Sequence, residues 1–99
     1  MSKTFEDSVK EVSKECNTLL IKKQKDYGAK NILEFGEYGV LVRVSDKRHR
    51  LKNLLQNDKE PKNESIEDTW KDIRNYAQIA LMLRDNEFDL PLEEELNDE

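Results

Sequence analysis

The chain has 99 residues, 35% of them hydrophobic and 39% charged, and a net charge of −5. So short a chain makes one domain with a thin core, and its three Gly and two Pro argue against both general disorder and a turn-rich all-β fold. A single cysteine excludes a disulfide framework or a thiolate zinc site, and no apolar run is long enough for a signal peptide or a membrane span, so the expected location is the cytoplasm.

The first predicted helix runs from Thr4 to about Lys25. The Thr4 hydroxyl and Asp7 are spaced to cap its first turn. Phe5, Val9, Val12, Cys16, Leu19, Leu20 and the stem of Lys23 follow steps of three and four and form a narrow seam, with Cys16 as a small buried hydrophobe. From Lys25 to Gly39 three glycines break the pattern, and the stretch reads as an ordered loop with room for a short turn of helix. Loops of that length are disproportionately functional. This one carries Asp26, Tyr27, Asn31, Phe35 and Tyr38, side chains able to hydrogen-bond with and stack on a base, or simply to lid the helix ends.

Helix two, Gly39 to Leu55, combines an apolar stripe with a charge constellation. Val40, Leu41, Val44, Leu51, Leu54 and Leu55 fall within an arc of about 140°. Arg43, Asp46, Lys47 and Arg50 gather beside that stripe, and Lys47 projects almost between Val40 and Leu54. Either an ion-pair knot or one wall of an anion site would explain such a cluster. The local charge favours the latter: residues 22 to 52 hold nine Lys or Arg against four acids. The stretch QNDKEPKN then reads as a linker.

Helix three is expected from Asn63 or Ser65, with Ser65 and Asp68 as a cap and Ile66, Trp70, Ile73, Ala77, Ala80 and Leu81 as the main stripe. Ile79, Met82 and Leu83 carry apolar character around its C-terminal half, as expected of a helix covered on more than one side. Asp68, Asp72 and Asn75 lie on the face that continues into Ile79, so their carboxylates need partners: the cations of helix two, or a divalent metal. From Asp85 onward there are eight acids and no bases. This tail is expected to fray beyond about Leu92, with Phe88, Leu90 and Leu92 spaced to dock on a neighbour.

The expected fold is therefore all-α. Residues 1–84 form a three-helix core, completed as a helical bundle by homo-oligomerisation, most simply as a two-fold dimer, and 85–99 form a partly disordered acidic tail.

The succession KKQKDYGAKNI, GVLVRVSDKRHRLKNLL and ESIEDTWKDIRNYAQIALM resembles the first nucleotide-modification-associated domain family, small proteins found mainly in bacteriophages. The likeness covers roughly Leu19 to Leu83, and it implies a context of nucleotide or DNA-base modification. A more distant similarity is to the MazG-like all-α nucleotide pyrophosphohydrolases, which hold Mg²⁺ with paired carboxylates on two helices. It implies that Asp68 and Asp72, or Asp72 and Asn75, stand where the second pair would be. Glu34 and Glu37 have the spacing of the first pair, although they enclose Gly36.

Two readings of function follow. In one, Asp46, Asp68 and Asp72 hold Mg²⁺ while Arg43, Lys47 and Arg50 clamp the phosphates of a nucleoside triphosphate, and Tyr27 or Tyr76 borders the base. In the other, the same cations hold a nucleotide or cyclic nucleotide signal without chemistry, with Asp68 and Asp72 orienting Arg43 and Arg50 or accepting hydrogen bonds from the base. In either reading, Asp26, Asn31 and Asn75 complete the expected nucleotide-binding set. A protein-interaction module built on the acidic tail is a third possibility. Nucleic acid is a poor candidate partner, because the basic segment is short and no DNA-reading motif is present.

Overall fold

The computed structural model describes residues 2–57 and 65–97, and every element among them is helical. In chain order these are α1 (Phe5–Tyr27), α2 (Lys30–Asn57), α3 (Ile66–Arg84) and the short α4 (Glu93–Asn97). The all-α expectation holds, with α1, α2 and α3 making the core.

Helix α1 begins as its sequence dictates. The Thr4 hydroxyl accepts from the Asp7 N–H at 3.1 Å and the Asp7 carboxylate accepts from the Thr4 N–H at 3.1 Å, which satisfies two of the free donors of the first turn. The helix runs two residues beyond the expected Lys25 and stops at Gly28, whose φ of 71° and ψ of −175° suit only glycine.

The expected loop from Lys25 to Gly39 is corrected. Only Gly28 and Ala29 lie outside helix, and α2 already begins at Lys30. The three glycines that suggested a loop do three different things. Gly28 ends α1. Gly36, at φ 64° and ψ −156°, kinks α2 without ending it. Gly39 lies within the helix, where a Cβ would stand 2.5 Å from the Cβ of Phe35, so the kink brings Phe35 close enough that only hydrogen fits.

Helix α3 starts at the Ser65 cap, whose hydroxyl accepts from the Asp68 N–H at 2.9 Å. The alternative start at Asn63 and most of the expected linker lie outside the described residues. Two ion pairs place α3 antiparallel to α2: Glu37 with Arg84 at 3.0 Å near one end, and Lys47 with Asp72 at 3.2 Å toward the other. Helix α1 crosses α3, clasped where the Asn75 amide donates to the Cys16 carbonyl at 3.0 Å.

The buried face of α3 is not its most apolar one. Thr69, Asp72, Asn75 and Ile79 point inward, while Trp70, Ala77 and Leu81 of the expected main stripe are exposed. Helix α2 follows expectation more closely. Val40, Leu51 and Leu54 are buried, and Leu41 and Leu55 are exposed. The Cys16 end of the α1 seam is covered, whereas Phe5, Val9 and Val12 remain open.

At the start of the tail, Phe88 departs from its expected place. Asp85 caps α3 through its N–H to the Leu81 carbonyl at 3.2 Å, and Asn86 at φ 57° reverses the chain. Phe88 is thereby thrown back onto this chain's own core, where it packs with Val40 and Ile79 rather than on a neighbour. Past Leu92 the described chain forms the short α4.

Candidate functional site

A cleft of about 410 Å³ opens between the second half of α1, the first half of α2 and the middle of α3. Its size falls within the ~300–1,000 Å³ typical of small-molecule sites. One end is charged and holds Lys23 from α1, Arg43 and Lys47 from α2, and Asp72 from α3. Tyr27, Asn31 and Tyr76 line the walls. The other end is apolar, made by Leu20, Ile32, Ile79 and Phe88.

The charged end is built around Asp72, whose side chain is only 10% exposed. One carboxylate oxygen takes Lys23 Nζ at 2.7 Å and the other takes Lys47 Nζ at 3.2 Å. Burial pushes the Asp72 carboxyl up, but the two ammonium groups more than offset that and hold it below its ordinary 3.8. Arg43, half-buried one turn before Lys47, has no ion pair or side-chain hydrogen bond among the described residues. Its guanidinium carries five donors in a planar fork suited to carboxylate or phosphate.

Most of the residues expected to bind a nucleotide meet here. Tyr27, Asn31, Arg43, Lys47, Asn75 and Tyr76 all line the cleft. Asn75 does so with its amide already engaged, donating to the Cys16 carbonyl and accepting from Arg74 at 3.0 Å. Its part is to fix α1 on α3. Two expected residues are not in the lining. Asp26 is exposed on the last turn of α1, and Arg50 is half-buried a turn beyond Lys47.

The three carboxylates expected to share a magnesium ion are not brought together. Asp46 and Asp68 are exposed and outside the cleft lining, and Asp72 has both oxygens on lysines. Among the described residues, no group of three or more His, Cys, Asp or Glu side chains is placed to hold a metal ion. A magnesium site asks for several oxygen donors in near-octahedral array, and this donor set does not fit one.

Lys23, Gln24 and Phe88 are among the cleft residues that sequence reasoning missed. Lys23 carried a usable signal, since a lysine at a seam position must find a counter-charge when the seam closes. Phe88 carried none, because its place depends on the turn at Asn86.

No helix among the described residues is long and apolar enough to cross a membrane. No curated protein and no solved structure matches the chain. Residues 23–83, more than half of the chain and the source of all the cleft's cations, match the family described as nucleotide modification associated domain 1. By that match, the chain belongs to the nucleotide modification associated domain 1 family.

Proposed function

We propose that the protein binds a nucleotide in the cleft between α1, α2 and α3, and that it does so within nucleotide metabolism or base modification. The observation that carries this is a single cleft with Arg43, Lys47 and Lys23 at one end and tyrosine and apolar walls toward the other. Phosphate oxygens would take the place of water around Arg43 and Lys47, with charge-assisted hydrogen bonds stronger than neutral ones. Ribose and base would lie along Tyr27, Asn31 and Tyr76, where a ring face or amide edge can meet them. Asp72 keeps the two lysines in place and keeps the empty site from accumulating repulsion.

Holding the ligand is favoured over cutting it. Magnesium-dependent hydrolysis of a nucleoside triphosphate needs carboxylates free to take a metal, and the Asp72 oxygens are engaged. A nucleotide or a cyclic nucleotide signal suits a site of this kind. The test is calorimetry of the purified protein with nucleoside mono-, di- and triphosphates, a cyclic nucleotide, and the corresponding free nucleosides, followed by chromatography of the recovered ligand. Phosphate-bearing ligands should bind at least about tenfold tighter than nucleosides, a margin one charge-assisted hydrogen bond supplies. They should also be recovered intact. Equal or absent binding across the panel would reject the site, and recovery of cleaved product would reject the binder in favour of an enzyme.

The exposed apolar side chains support self-association as part of the same proposal. Trp70 is 54% exposed and Phe5 79%, and with Val9, Val12 and Leu81 they leave hydrophobic surface for a second copy to cover. Light scattering on a sizing column should give at least twice the 11.7 kDa chain mass, with Trp70→Glu shifting it toward the monomer. A wild-type chain that elutes as a monomer at high micromolar concentration contradicts this.

A further inference from the structure

We propose that Phe88, which lies beyond the segment matching the family, is a specificity-determining residue of the cleft and sets the size of base it accepts. The inference rests on the nucleotide reading of the cleft. The ring of Phe88 is only 4% exposed, and it packs with Val40 and Ile79 while forming part of the apolar end of the cleft. That end lies about two helical turns from the ion pair of Lys47 with Asp72. Along α3, Asp72 and Ile79 are seven residues apart, about 10 Å at 1.5 Å per residue. A ligand with its phosphate at Arg43 and Lys47 therefore extends its base toward Ile79 and Phe88.

The segment that carries Phe88 is fastened rather than loosely laid on the surface. The positive φ of Asn86 turns the chain, and the Glu87 N–H donates to the Met82 carbonyl at 2.9 Å. The Gln24 amide, itself part of the cleft, donates to the Phe88 carbonyl at 3.1 Å. A fixed aromatic wall discriminates by volume: a base that reaches it is either accommodated or must displace a packed ring. The match to the family ends at residue 83. The wall is thus supplied by a segment outside the matched residues, and the cations by residues inside them.

The experiment compares wild type with Phe88→Leu, which shortens the wall but keeps it apolar, and with Phe88→Met, which is likewise smaller than the ring but flexible enough to repack should the leucine variant fail to fold. Affinities are measured for adenosine 5′-monophosphate, cytidine 5′-monophosphate and inorganic phosphate. The ratio of purine to pyrimidine affinity should rise about tenfold in the folded variant, the scale of a changed apolar pocket, while phosphate affinity stays within about twofold. A ratio unchanged in a variant with a wild-type helical spectrum overturns the role of Phe88 and leaves the nucleotide site standing. Wild type that binds neither nucleotide overturns both.

Discussion

Asp72→Asn is expected to lower the unfolding free energy by about 1–3 kcal/mol, although the change removes no carbon and leaves the side chain's shape intact. Breaking a fully buried ion pair costs about 3–5 kcal/mol, because the partner is left charged and desolvated. The smaller figure applies because Lys23 is 45% exposed and Lys47 22%, so water screens part of the loss. Two ammonium groups would then share a site with no carboxylate between them. In a chain this short, about 1–3 kcal/mol corresponds to a fall in Tm of several degrees or more.

The same residue gives the pH dependence its direction. The Asp72 carboxyl is held below 3.8 in the folded chain, so its stabilising contribution is present above that value and is lost as pH falls through the folded-state pKa. Wild type should therefore lose stability in acid below about pH 4, and Asp72→Asn should lose less over that window. Thermal melts from pH 7 down to pH 3 measure both effects. If the variant melts with wild type throughout, Asp72 is not the centre of the charged end.

Arg43→Ala is expected to weaken nucleotide binding by about 10–100-fold, the range of one charge-assisted contact to phosphate. Its effect on stability should stay within about 0.5 kcal/mol, because Arg43 has no ion pair or side-chain hydrogen bond to lose among the described residues. Arg43→Lys should recover only part of the affinity, since an ammonium lacks the planar fork. The two substitutions thus divide the site. Asp72 acts mainly on folding and Arg43 mainly on the ligand. A stability loss at Arg43 without loss of binding would make it a structural cation and move the phosphate elsewhere.

How much of this was legible in the sequence depended on whether a residue's role was local. The Thr4 and Ser65 caps, the all-helical class and the charged face of α2 follow from short-range spacing, and the structure has them where expected. The glycines show the limit. Gly28, Gly36 and Gly39 carry the same breaker signal, but one ends a helix, one kinks it and one makes room for Phe35, and only the tertiary path distinguishes them. Helix α3 misled for a different reason. Its apolar stripe promised the buried face, yet Trp70, Ala77 and Leu81 are exposed; the expected helix-two cation on Asp72 is there as Lys47, whereas Lys23 and the Cys16 carbonyl come from α1. Arg43, Lys47, Tyr27 and Asn31 could be named from residue type and register. Lys23 and Phe88 reach the cleft through pairings 49 and 64 residues away in the chain, with Asp72 and Gln24 respectively, and no local pattern carries such information.

The central claim is that the cleft itself, and no other surface, takes the nucleotide. Amide and side-chain resonances followed by NMR while a nucleoside monophosphate is added test it most directly. Tyr27, Asn31, Arg43, Lys47 and Tyr76 should shift together and saturate with one dissociation constant, while Phe5, Val9 and the α4 residues stay in place. Shifts confined to the exposed face of Trp70 and Leu81 or to the acidic tail, with the cleft residues unmoved, would contradict it.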